Sequence, residues 1–242
     1  MVIKVSGKGK KEALLREILI KRGHTVQEAD AAVWVLPLPY SNAEEKDLNV
    51  LRPGTHLIVG ITDERLTEAA RERGCCLHYL FEDDIYTARN TLLSAEGAVC
   101  AAMEKTEGAL NGSSCLVIGN GRLGSALYRM LGGMGARVTA AARRKKEWNE
   151  VPLENLRDML PRFDFVFNTV PHPILTEDIL QNAAKETWFL ELASAPYGID
   201  EQAAKAIGLR YARESGIPGR YCPMASAENI ADYLERSVIN HE

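Results

Sequence analysis

The chain has 242 residues, 46% of them hydrophobic and 26% charged, with a formal net charge of −4. That length accommodates one large domain or two small ones, each with its own core, in an ordinary globular balance. The negative total argues against a nucleic-acid partner, and the lack of a long apolar run argues against a membrane span. "VIKV" (Val2–Val5) reads as a strand and "KKEALLREILIKRG" as a helix closed by Gly23. "AAVWVLPLP" (31–39) and "HLIVG" (56–60) read as buried strands. "TDERLTEAARERG" reads as a helix with Thr62 or Asp63 as cap and Gly74 as stop, followed by a short strand in "CCLHYL". This alternation implies a parallel sheet covered by helices.

A long helix is expected over 86–106, with "FEDD" before it as its cap. A second α/β unit begins at Cys115, with strands in "CLVIG", "RVTAAA", "FDFVFNTV", "WFLELA" and "LRYA". "ENIADYLERSVI" closes the chain as an amphipathic helix with Ile230, Tyr233, Leu234 and Val238 on one face and Ser226 as its cap. The fold class is therefore α/β: two Rossmann-like parallel-sheet domains joined by a long helix. The expected division is 1–110 for a substrate-side domain with its linking helix, 111–224 for a nucleotide-binding domain, and 225–242 for a C-terminal helix returning to the first.

Gly119-Asn120-Gly121-Arg122-Leu123-Gly124 is a G-x-G-x-x-G turn that follows an apolar strand and opens a helix, the context in which the pattern becomes specific. Gly119 permits the turn, Gly121 lets backbone approach a pyrophosphate, and Gly124 lets the helix pack on the strand. The helix start offers N–H groups and a positive dipole end to phosphate. The acid that normally holds the adenosine ribose falls about 20 residues on. There the chain reads "VTAAARRKK", with Ala142 in its place. Alanine leaves room for a 2′-phosphate, and Arg143 and Arg144 supply charge-assisted contacts, so the turn predicts NADP rather than NAD.

Two later strand ends complete the expected cleft. Asn168, Thr169, Val170 and Pro171 end one strand, and Ala193 and Ser194 end another, placing small or polar residues beside the nicotinamide half. His172 reads as an exposed loop histidine. In the linking helix, Glu96 lies three or four residues from Leu92, Leu93, Val99 and Cys100, which predicts a carboxylate among apolar side chains, suited to proton transfer. Asn90, Thr91 and Ser94 add hydrogen-bonding groups near it. The five cysteines show no C-x-x-C spacing and read as free thiols of a cytoplasmic protein, with no metal site.

From about Ile58 onward the chain resembles the A-subunit family of dipicolinate synthase from spore-forming bacteria. The resemblance is carried by "DDIYTARNTLLSAEGAV", "VIGNGRLGSAL", "NTVPHPIL", "LELASAPYGID" and "GIPGRYCPMASAENIA". It implies an NADP-binding subunit that works with a separate flavin-binding B-subunit in sporulation. The implied reaction oxidises a dihydropyridine dicarboxylate (dihydrodipicolinate) to dipicolinate, and an oligomer is expected. On that reading a base takes a proton, for which Glu96 is the candidate, and Arg220, Ser194 and Ser226, beside Asn90 and Ser94, are candidate ligands of the substrate carboxylates. The chain departs from the family pattern at Leu93 and Ser94, where the family has proline and threonine. It departs again at Ala195-Pro196-Tyr197-Gly198 in place of Arg-Pro-Gly-Gly, and at Ala225-Ser226-Ala227 in place of Thr-Ala-Gly. Two alternatives remain open at this level. One is another NADP-dependent dehydrogenase of the 2-hydroxy-acid dehydrogenase-like architecture. The other is a non-catalytic nucleotide-sensing subunit.

Overall fold

The computed structural model describes residues 1–36, 51–60, 64–106, 109–143 and 150–239. Pro37 and Pro39, the Thr62/Asp63 cap, and Arg144 with its two following lysines lie outside the described residues. The first elements are β1 (Val2–Val5), α1 (Lys10–Lys21), β2 (Thr25–Val26), β3 (Val33–Val35), β4 (His56–Val59), α2 (Glu64–Glu72) and β5 (Cys76–Tyr79). The long helix α3 (Asp84–Lys105) follows. Then come β6 (Ser114–Ile118), α4 (Arg122–Gly133), β7 (Arg137–Ala141), β8 (Glu150–Val151), β9 (Phe165–Asn168) and β10 (Trp188–Glu191). The chain ends with α5 (Glu201–Ile207), β11 (Arg210–Arg213), α6 (Ile217–Tyr221) and α7 (Pro223–Ser237). It divides into two compact units, Met1–Leu93 with the segment from Pro218, and Ser94–Ile217, so α3 runs through both.

The first unit is a parallel five-stranded sheet in the order β2-β1-β3-β4-β5. On one face Ile3, Val5, Val33 and Ile58 pack against Leu15 and Leu19 of α1 and Ile230, Tyr233 and Leu234 of α7. On the other, Trp34, Leu57 and Val59 meet Leu66, Ala69 and Ala70 of α2. Such two-sided burial explains why these short strands are nearly all apolar. Arg22 at the end of α1 reaches Asp232 at 2.8 Å and Glu235 at 2.9 Å on α7, and Arg89 of α3 also pairs with Asp232. Asp83 caps α3 by accepting the Tyr86 N–H at 2.6 Å, and Arg236 holds the same carboxylate at 2.7 Å.

The expected cap of the last helix is corrected. The helix starts at Pro223, with Cys222 at the cap position, and the Ser226 N–H bonds the Cys222 carbonyl at 2.9 Å inside the first turn. Proline needs no N–H at that position, so it starts the helix four residues earlier than a cap at Ser226 would.

The second unit is a parallel six-stranded sheet in the order β11-β10-β9-β6-β7-β8. Counted along the unit this is the 3-2-1-4-5-6 order of the Rossmann fold, which reverses direction between β6 and β9. Leu116, Ile118, Val166 and Phe189 form its core with Leu156, Leu160, Leu180 and Ala204. An ion pair of 2.7 Å between half-buried Lys105 and buried Glu214 fastens the end of α3 to the segment after β11.

Candidate nucleotide-binding site

β6 ends at Ile118 and α4 starts at Arg122, leaving Gly119–Gly121 to turn the chain. Gly119 takes φ +101, and a Cβ there would lie 2.5 Å from Thr169 Oγ1 and 2.8 Å from Val170 Cγ2. A Cβ on Gly124 would overlap the Gly119 carbonyl oxygen. Gly121 differs: a Cβ there meets nothing within 4 Å, so it borders open space. It caps α4 without a side chain, which leaves the first-turn N–H groups facing that space. The three glycines thus meet the three steric demands of a dinucleotide turn.

The space is a cleft of about 1010 Å³ at the carboxyl ends of β6, β7 and β9. Gly119, Asn120, Gly121, Ala141, Ala142, Arg143, Leu153, Thr169, Val170, Pro171, His172 and Ile174 line it. Arg122 and Leu123 belong to the first turn of α4 beside it. Ala142, 8% exposed, stands where a ribose-binding acid would, and Arg143 is exposed at the rim. One acid escaped the sequence reading. Glu150 pairs with Ala140 in register on β8, and its carboxylate accepts Asn120 Nδ2 at 3.1 Å. A two-residue strand has no periodicity to reveal it.

Asn168 ends β9 beneath Val170. It is wholly buried, with Nδ2 donating to Val170 O at 3.0 Å and to Glu191 Oε1 at 2.7 Å. Ala193 is half-buried, outside the cleft lining, and donates its N–H to Glu191 at 3.0 Å. Thr169 Oγ1 donates to the Ile118 carbonyl at 2.8 Å, which fixes the side chain that Gly119 must clear. Tyr197 takes φ +61 in the left-handed region, the conformation suited to the glycine of the family pattern, and the Arg213 guanidinium covers its ring at 4.0 Å.

Glu96 is exposed, not set among apolar side chains. Leu92, 52% exposed, and Cys100 share its exposure, while Ala95, Ala98, Val99, Ala101 and Ala102 are buried. The helix therefore buries its small residues, which permit close backbone approach. Ser226 is buried, 5% exposed. Asn90 and Ser94 are half-buried, and Arg220 and Ser194 are exposed. Asn90 and Arg220 fall in the first unit, and Ser94, Glu96 and Ser194 in the second. Among the described residues no group of three or more His, Cys, Asp or Glu is placed to hold a metal, and no helix is long and apolar enough to cross a membrane.

Residues 86–204 match the family model "D-isomer specific 2-hydroxyacid dehydrogenase, NAD binding domain". The dipicolinate synthase A-subunit of Bacillus subtilis (strain 168) is 29% identical over 214 residues, covering 84% of this chain and 72% of that protein. The crystal structure of the dipicolinate synthase A-subunit from Bacillus halodurans superposes with a TM-score of 0.85 at 21% identity, over 97% of this chain and 96% of that one. A transhydrogenase from Sinorhizobium meliloti superposes with a TM-score of 0.77 at 17% identity, over 99% of this chain and 94% of that one. By sequence match and shared fold, this chain is similar to the dipicolinate synthase A-subunit, and its residues 86–204 match a dehydrogenase NAD-binding domain.

Proposed function

We propose that the chain is the NADP-binding subunit of a dipicolinate-synthase-type oxidoreductase, paired with a flavin-binding B-subunit in the cytoplasm of a sporulating cell. The observation that carries the NADP assignment is the end of β7, where Ala142 replaces an acid and Arg143 lines the cleft. The proposed reaction removes a hydride and a proton from a dihydropyridine dicarboxylate, leaving the aromatic pyridine. A bound nicotinamide ring supplies the hydride acceptor. The chain's own residues bind and orient. Gly119, Gly121 and the N–H groups of the first turn of α4 receive the pyrophosphate. Arg143, with Arg144, receives the 2′-phosphate. Thr169, Val170, Pro171 and Ala193 bound the nicotinamide half. Glu96 is proposed to accept the proton, and Arg220, Ser194, Asn90 and Ser94 to bind carboxylate.

One observation favours NAD instead. Glu150 brings a carboxylate to Asn120 in the phosphate turn, where it is placed to accept ribose hydroxyls and repel a 2′-phosphate. Paired titrations with NADP and NAD on the intact chain and on Arg143→Ala and Glu150→Gln separate the two. NADP preference lost in the arginine variant supports the first reading. NAD preference lost in the glutamate variant supports the second.

A further inference from the structure

Glu191 is an acid at the end of β10 with 0% exposure. A buried carboxylate has only acceptors, so each lone pair needs a donor. Four donors supply them. Asn168 Nδ2 at 2.7 Å and the Ala193 N–H at 3.0 Å share Oε1, and the Gly198 and Ile199 N–H groups, both at 2.8 Å, share Oε2. Three of these donors belong to the loop 192–199, so one side chain closes that loop on itself. The fourth leads to β9. The Asn168 amide also brackets Val170, donating to its carbonyl at 3.0 Å and accepting its N–H at 3.2 Å. Val170 lines the cleft and lies against the space above Gly119. Gly198 is tied into the same knot: a Cβ there would overlap Asn168 Nδ2 and lie 2.8 Å from the Val170 carbonyl oxygen.

We infer that Glu191 is a positioning residue that sets, through Asn168 and the loop 192–199, the wall of the cleft facing the half of the dinucleotide beyond the pyrophosphate. The inference rests on the reading of the cleft as a dinucleotide site. Charge matters here as well as shape. A glutamine of the same size would point its NH2 at two donors in either amide orientation, leaving both unpaired. No rotation repairs it, because each oxygen serves two N–H groups.

The test compares the intact wild-type chain with Glu191→Gln and Asn168→Ala by calorimetric titration. The probes are full NADP and NAD, and the fragments 2′,5′-ADP and ADP, which lack the nicotinamide half. Amide hydrogen exchange of residues 192–199 is followed in parallel. In Glu191→Gln the full dinucleotide is expected to bind about tenfold more weakly or worse, for two unpaired donors. Its fragments should bind within about twofold of wild type, and the loop amides should exchange faster. Asn168→Ala keeps the three loop bonds, so it should weaken the full dinucleotide while leaving most loop protection. This variant also decides the matter if the glutamine variant does not fold. Unchanged affinity for the full dinucleotide in both folded variants overturns the inference, as does an equal loss for fragments and full ligand. A wild-type chain that binds neither dinucleotide overturns the cleft reading and the inference with it, while loop exchange still reports whether Glu191 holds the loop.

Discussion

The Gly119 carbonyl oxygen occupies the place that a Cβ on Gly124 would need. Strand β6 and helix α4 therefore meet backbone to backbone at the phosphate turn. Gly124→Ala should push the helix start away, with an overpacking cost of about 1–3 kcal/mol. Thermal unfolding should register the loss, and dinucleotide affinity should fall by at least about tenfold. Gly121→Ala meets no atom in the protein, so its loss should appear in ligand affinity and not in melting temperature. Equal melting losses for the two variants would contradict this division of roles.

Asp232 provides a pH dependence with a definite sign. Burial opposes its ionisation, but hydrogen bonds and charges from Arg22 and Arg89 outweigh it and hold the carboxyl below the usual aspartate range. Burial likewise opposes ionisation of Asp83, and the Tyr86 N–H and Arg236 outweigh it. A lowered folded-state pKa means the unfolded chain binds more protons in acid. The stabilisation is present above the unfolded value of about 4 and is lost as pH falls through the folded value. Amides of α1 and α7 should lose protection over that range, and Asp232→Asn should flatten the acid limb. A steeper limb in the variant would refute the argument.

Cys115 sits in β6 with 0% exposure, and burial pushes its thiol up to about 11. At neutral pH the reactive thiolate is scarce and shielded. Mass-spectrometric mapping with iodoacetamide should therefore modify the exposed Cys76 and Cys100 long before Cys115. A bound dinucleotide should slow Cys115 further by suppressing opening of the sheet. Labelling of Cys115 as fast as Cys76 would contradict the buried central strand.

For Glu96, the variant to make is Glu96→Gln in the chain combined with a flavin-binding B-subunit. If the carboxylate accepts the proton, turnover should fall by about 10²-fold or more while dinucleotide affinity stays unchanged. Full activity in that variant would remove Glu96 from the mechanism.

The apolar strands and the glycine turn were legible because burial on both faces of a parallel sheet writes itself as short apolar runs. Ile230, Tyr233, Leu234 and Val238 were legible from spacing alone, and all four are buried. Helix α3 misled because apolar residues surround it. Leu92, Cys100 and Met103 face solvent while alanines pack inward, so hydrophobicity did not mark the buried face. Glu191 and Glu150 were hidden for another reason. Each bonds a partner far along the chain, Asn168 for one and Asn120 for the other, and no local pattern reports them. The departure at Tyr197 was visible as a substitution, but its left-handed backbone and the Arg213 guanidinium over its ring were not.

The central claim is that the cleft beside Gly119–Gly121 takes NADP, with Arg143 holding its 2′-phosphate. The direct measurement is the affinity of the intact chain for NADP and for NAD, repeated on Arg143→Ala. The account predicts tighter binding of NADP by at least about tenfold and a selective loss of that advantage in the variant, for one charge-assisted phosphate contact. Equal affinity for the two dinucleotides, or an arginine variant that binds NADP as tightly as the wild type, would contradict it.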